Sequence, residues 1–561
     1  MDSNLLKTKS IEQLVGDVEQ GSKALRRSLS AWDLTLLGIG AIIGTGIFVL
    51  TGTAAANQAG PAIMVSYLIA GLACGFAALC YAEFASMIPI AGSAYTYAYA
   101  TMGELFAWII GWDLILEYAV GSMTVAIGWS GYMQKLLEGA GIALPVWMTA
   151  APHANAPGAL INLPAVIIVL LIMYLLVVGI RESARFNAIM VGIKLAAVLF
   201  FIGAGAVYVR PENWSPFTPY GWSGVMGAAG VVFFAYIGFD AVSTTAEEAK
   251  NPQRDLPIGI IASLVICTTL YLVVAAILSG IVPVVEYKSD QAFLNAPVAF
   301  ALSLIGQDWA AYLVSAGAVA GITSVLLVML MSQPRIFFAM SRDGLLPAVV
   351  SQVHPRFGTP HITTIITCTI VAMVAGVTQI NVVAEMTSIG TLFAFVVVCV
   401  AVTLLRIRRP EAHRPFKVPG GPFLIPVLGA LSCFYLMLAL PVITWVRFLV
   451  WLDIGMIIYW FYGRVSSPLV NKAEAARRTG GQNLANLLTV LGALTLFNGA
   501  AMTILAYMTE FGITTETTAK WHEIGVTPEQ ADLVGLYILG AGLVLFILGK
   551  ILTKSTGEGA K

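Results

Sequence analysis

The chain has 561 residues, of which 58% are hydrophobic and 11% charged, against about 25% charged in a typical soluble domain. Its 30 basic and 30 acidic side chains cancel, so no excess charge draws it to nucleic acid. These values exclude an ordinary soluble globule and point to an all-α polytopic membrane protein.

Residues 1–30 are polar and lack the pattern of a cleavable signal peptide, so they are expected to form an N-terminal arm. Fourteen apolar runs follow, each long enough for about 20 residues to cross a bilayer. They lie near 31–56, 61–88, 105–133, 160–180, 187–209, 223–247, 257–284, 309–340, 361–379, 384–405, 424–440, 443–463, 486–508 and 531–553. Lys and Arg gather on one side of this arrangement. Only Lys135, Arg210, Lys288, Arg447 and Lys520 fall on the other, and Lys194 lies within a span. That bias places both termini in the cytoplasm. All 6 cysteines lie inside apolar runs, so no disulfide framework is expected.

The first run contains "GIGAIIGTGIF", Gly38 to Phe48, with glycines at 38, 40, 44 and 46. Each interior glycine forfeits roughly 0.8–1 kcal/mol of helix propensity relative to alanine. The sixth run, "GVVFFAYIGFDAVSTTAEEAKNP", is interrupted by Gly238 and Asp240. Interrupted spans at matching places in two halves point to a transporter's central binding site. Irregular backbone at membrane depth is tolerated only where it is buried or lines a cavity. A close-packing face is the competing reading, and Gly40 and Gly44 have its spacing. The stretch is not a dinucleotide fingerprint, which needs a preceding strand and a different glycine spacing. A broken helix offers free N–H groups to an anion and free carbonyls to a cation.

Lys194, in the fifth run, is the only charged residue between Arg185 and Arg210. In a bilayer it costs roughly 2.5–3.5 kcal/mol, so it must face the protein interior. A buried lysine is a candidate proton carrier; a permanently charged strut is the alternative. Glu117 and Asp240 are intramembrane carboxylates, suited to a cationic ligand side chain or to pairing with neighbouring groups. Glu83, Asp113 and Asp453 lie nearer span ends and are expected to be structural. No histidine lies in mid-span, and no H-E-x-x-H, P-loop or serine elbow is present. An enzyme is not expected.

The quoted stretches, with "YAEFASMIPIAGSAYTYAY" after the second run and "SRDGLLP" after the eighth, resemble the amino acid–polyamine–organocation transporters. The combination is most similar to the cationic amino acid transporter subfamily and its bacterial members, over about residues 30–465. The resemblance implies a five-plus-five inverted repeat of the leucine-transporter type, residues 31–210 and 211–408, with helices 1 and 6 broken. Helices 11–12 (409–464) and 13–14 with a cytoplasmic tail (465–561) are the four extra helices of a fourteen-helix layout.

It implies uptake of cationic or small neutral L-amino acids by alternating access at the plasma membrane, the inner membrane in a bacterium. The amides of Gly44, Thr45 and Gly46 would hold the carboxylate. Carbonyls near Ile42, Phe234, Ala235 and Ile237 would hold the ammonium. Phe234 is either a gate over the ligand or core packing. Glu117, Asp240, Thr244, Ile322, Thr323 and Ser324 are candidates for side-chain selectivity. Lys194 would stand where sodium-coupled relatives of this fold hold sodium between helices 1 and 8, which suggests proton symport. An uncoupled facilitator, an exchanger and a non-transporting sensor are the alternatives.

No cofactor or metal is expected. Protons and membrane lipid are expected partners, with a small membrane subunit at the extra helices. The external loop 134–159 has no cysteine to bind a disulfide-linked heavy chain. Glu247–Pro257 is either part of an inner gate or a solvated charged turn. The basic loop Arg406–Gly421 suits anionic lipid or simple positive-inside bias.

Overall fold

The computed structural model describes residues 29–88, 93–152, 157–178, 184–246, 249–287, 291–352 and 359–467, with a few further positions, chiefly between 488 and 548. Side chains 184–188 and that of Thr244, the N-terminal arm, Glu247, Glu248 and most of 465–561 lie outside this description.

The principal helices are α1 (Ala31–Ile42), α2 (Ile63–Met87), α3 (Glu104–Gly139), α4 (Leu163–Val178), α5 (Ala184–Gly205) and α6 (Gly221–Val232). They continue as α7 (Pro252–Ile281), α8 (Asp308–Arg342), α9 (His361–Val377), α10 (Ile380–Arg408), α11 (Leu424–Leu438) and α12 (Val442–Ile458). No strand occurs among the described residues. Among the described residues seven helical stretches are long and apolar enough to cross a membrane; in one of them, Gly46–Met87, the second half of the first run joins α2 across a turn at Gly60, φ +62°. Shorter apolar helices occupy the fourth, sixth, ninth and eleventh predicted runs. The thirteenth and fourteenth runs fall mostly outside the described residues.

Two compact units divide the chain. The first comprises residues 3–341 and 348–437. Within it, α7 packs along α1 and α2, α3 along α10, α4 along α9, and α5 along α1. Small residues allow this: a Cβ on Gly38 would lie 2.5 Å from Ser263 Oγ of α7. The second unit comprises 342–347 and 438–561. There Asp453 of α12 accepts a hydrogen bond from Asn498 Nδ2 at 2.9 Å, and the Arg464 guanidinium stacks 4.2 Å over the Trp460 ring.

Local chemistry starts and stops the helices that matter. Ser30 and Asp33 form a reciprocal capping box at the head of α1, which satisfies donors the first turn leaves free. Just upstream, Lys250 N donates to Leu29 O at 2.8 Å, so the entry to α1 is tied to the segment that follows α6.

At the inner end of α2, Glu83 is 1% exposed and sits in a polar knot. Arg406 Nε donates to its Oε1 at 2.9 Å, with a second bond from Nη2 to Oε2. Val418 N donates to Oε2 at 2.9 Å, and Arg414 forms an ion pair with Oε1 at 3.3 Å. Arg414 also donates to Leu405 O and Arg409 O at the end of α10. The span-end expectation for Glu83 is met, and two arginines of the basic loop are turned inward to it rather than outward to lipid.

Candidate functional site

Both interrupted runs are broken in the structure, by different means. Helix α1 stops at Ile42, and Ile43 is extended (φ −74°, ψ 107°). The chain re-enters helix with a π-turn over Gly46–Leu50. At the gap, the Lys194 ammonium donates to Gly40 O at 2.5 Å and to Ile43 O at 3.0 Å. Each charge-assisted hydrogen bond contributes about 1.5–3 kcal/mol, enough together to offset the cost of placing lysine in the interior. Lys194 is fully buried, and its stem lies against Gly321 of α8, where an added Cβ would come within 2.8 Å.

Helix α6 tightens into a 3-10 turn over Phe233–Tyr236; Ile237 is then extended (φ −61°, ψ 132°). Gly238 follows at φ +120°, a conformation that favours glycine because it has no Cβ. Its N–H donates to Asp240 Oδ1 at 3.2 Å. A Cβ here would also lie 2.8 Å from Ala41 O, so the two breaks touch.

A second glycine contact brings the broken helices together. A Cβ on Gly46 would sit 2.4 Å from both Cα and Cβ of Ala235. The packing reading and the broken-helix reading of this stretch therefore both hold, for different glycines.

Tyr271 of α7 reaches into the same place. Its hydroxyl lies 2.9 Å from Ile42 O and 2.8 Å from Ala235 O. A phenol has one proton, which the two carbonyls share. Two of the four carbonyls expected to face an ammonium already have this partner, and Phe234 O accepts from Ile237 N at 3.2 Å. Tyr67 completes the lining: its hydroxyl donates to Gly46 O at 3.0 Å, and its ring lies 5.3 Å from that of Tyr271.

Thr45, between the two arms of α1, is 1% exposed, and its hydroxyl has no hydrogen-bond partner among the described residues. Its methyl faces Gly128 of α3, where a Cβ would come within 2.3 Å. One residue on, Trp129 Nε1 donates to Thr323 Oγ1 of α8 at 2.8 Å.

The expected selectivity residues divide. Glu117 and Asp240 line one small cavity with Ala41, Tyr118, Ile237 and Met329. Glu117 Oε1 has no partner there. Ile322 and Ser324 are buried elsewhere on α8, Ser324 donating to Gly321 O at 2.8 Å. Phe234 is 4% exposed. Asp113, expected to be structural, is fully buried, and neither carboxylate oxygen has a partner among the described residues. Sequence reasoning missed Tyr271, Tyr67 and Trp129, whose run positions carry no local signal beyond a polar tip on an aromatic in an apolar helix.

The amino acid permease family model matches residues 29–463, ending before the last two predicted runs. The branched-chain amino acid permease BcaP of Bacillus subtilis (strain 168) is 53% identical over 84% of this chain and 100% of its own length. The methylthioribose transporter of the same organism is 48% identical with the same coverage. The vacuolar cationic amino acid transporter 4 of Arabidopsis thaliana is 38% identical over 73% of this chain and 68% of its own. With two facing helix breaks at its centre and this match across most of its length, the chain belongs to the amino acid permease family and is a membrane transporter rather than an enzyme.

Proposed function

We propose that the protein is a secondary active importer of L-amino acids, driven by proton symport through alternating access. The observation that carries it is the pair of breaks in α1 and α6, pressed together with a partnerless buried Thr45 hydroxyl between the arms of α1. Thr45 with the amides of Gly44 and Gly46 takes the substrate carboxylate. The carbonyls of Ile42, Phe234, Ala235 and Ile237 take the ammonium, with Tyr271 sharing the first and third. Phe234 closes over the ligand. Glu117, Asp240, Thr244, Ile322, Thr323 and Ser324 set the side-chain preference, for cationic or small neutral amino acids. Lys194 carries the coupled proton between the α1 break and α8.

The finer architecture belongs to the same reading: fourteen helices, a five-plus-five inverted repeat, a plasma-membrane location with both termini inside, and a small membrane subunit at the last helices. The two carbonyl acceptors of Lys194 equally suit a permanent strut, so an uncoupled facilitator or exchanger is the second reading.

Uptake of labelled leucine, alanine, arginine and lysine into proteoliposomes, with and without an inward proton gradient, tests both. Accumulation above equilibrium only with the gradient supports symport. Equal flux in both conditions supports the second reading. Absence of flux for the whole panel overturns amino acid import.

A further inference from the structure

Asp113 stands in the seam between α3 and α10. Its Oδ1 points at Gly390 of α10, where an added Cβ would come within 2.9 Å. The residue is fully buried, and both carboxylate oxygens lack a hydrogen-bond partner. Glu117 lies one turn further along α3, on the same face, at the 5–6 Å Cβ spacing of an i, i+4 pair. It too has an unpartnered buried oxygen, and it opens on the cavity shared with Asp240. Along the same seam a Cβ on Gly121 would lie 3.4 Å from Thr387 of α10, so the helices are close along its length.

The neighbours of Asp113 are nearly all uncharged. From α10 comes Gly390. On α8, Gln333 Nε2 approaches Ile115 O, two residues along α3, at 3.5 Å, and the Arg335 charge acts on Tyr118. Asp240, in the segment that follows α6, acts with Asp113 on Glu117. No described basic side chain pairs with Asp113. An ionised carboxylate without donors in the interior costs several kcal/mol, whereas Lys194 has its carbonyl partners. The seat therefore holds no described donor to a charged Asp113 carboxylate.

We propose that Asp113 is a second proton-binding group of the carrier, separate from Lys194, and that each cycle carries its proton inward with the amino acid. The inference rests on the proton-symport reading above. A proton from outside, arriving past the Asp240 cavity and Glu117, joins one Oδ of the carboxylate, and the same O–H bond breaks to release it to cytoplasmic water. No other bond changes. Two groups then carry two protons per substrate.

The accumulation limit tests this. At zero membrane potential, each coupled proton supports a tenfold gradient per pH unit, since tenfold is about 1.4 kcal/mol. The full chain in proteoliposomes, clamped with potassium and valinomycin and one pH unit more alkaline inside, should reach about a hundredfold accumulation of a carried labelled amino acid. Asp113→Asn should reach about tenfold while its counterflow rate stays within about twofold of wild type. A lesion that is only structural slows both fluxes and leaves the limit unchanged.

An unchanged limit in Asp113→Asn overturns the proposal and leaves symport standing. A wild type that accumulates nothing under the proton gradient overturns symport itself, and this proposal with it. Accumulation driven by a sodium gradient alone also overturns the proposal. Should Asp113→Asn fail to fold, Asp113→Glu decides: the infrared carbonyl stretch of a protonated carboxylic acid should shift, and an unshifted band overturns the assignment.

Discussion

The two helix breaks do the same job with different materials. The break in α6 is mostly local, although the Tyr271 hydroxyl also reaches its Ala235 O. Gly238 supplies the positive φ, and Asp240, two residues on, accepts its N–H. The break in α1 needs distant parts. Its backbone stays in ordinary regions, and its open carbonyls go to Lys194, 154 residues away from Gly40, and to Tyr271, 229 residues away from Ile42. A break made mostly from its own residues depends less on its neighbours than one held by a lysine and a tyrosine on other helices.

Four substitutions bear on that contrast. Lys194→Met should have the largest effect, because it strips the ammonium from Gly40 O and Ile43 O. Gradient-driven accumulation should fall at least tenfold per pH unit, to equilibrium if no other proton is carried. Accumulation at the wild-type level would remove Lys194 from coupling. Gly46→Ala comes next. It drives a Cβ into the Ala235 backbone, and overpacking of this kind costs typically 1–3 kcal/mol. Uptake should be lost while membrane insertion, followed by surface labelling, stays normal; Gly46→Leu should do the same more severely. Tyr271→Phe leaves the carbonyls of Ile42 and Ala235 without their donor, for roughly 1–3 kcal/mol. A several-degree fall in Tm in detergent and an altered KM are expected. Asp240→Asn keeps an acceptor for Gly238 N, so the smallest change, within about 1 kcal/mol, is expected in Tm. A large fall there would show that the α6 break depends on charge and is less self-contained than its geometry implies.

That same division governs how much could be read in advance. The α6 break announced itself, because Gly and Asp in the middle of an apolar run are out of place locally. Lys194 did too, for the same reason. The glycines of α1 were visible, but their division of labour was not. Gly38 meets Ser263, Gly44 meets Val325 and Gly46 meets Ala235, and only tertiary contacts separate close packing from breaking. Tyr271 and Trp129 stayed hidden because an aromatic with one polar atom fits an apolar helix whether or not that atom has work to do. Asp113 and Glu83 could not be told apart by their places in the run. Distance from a span end does not reveal whether a carboxyl has a partner, whereas Glu83, judged alike, proved to have three.

The Glu83 knot also sets an order of events during synthesis. Glu83 and Arg406 are 323 residues apart. At about 5–20 residues per second, Glu83 leaves the ribosome roughly 16–65 s before its partner. Through that interval α2 stands without its clamp, its Glu83 carboxylate paired with neither arginine. Arg406 and Arg414 meanwhile emerge as free positive charges, able to steer the orientation of α10 as it inserts. Only afterwards are they drawn inside against Glu83. The same two guanidinium groups thus serve first as a signal to the insertion machinery and then as the fastening that closes it.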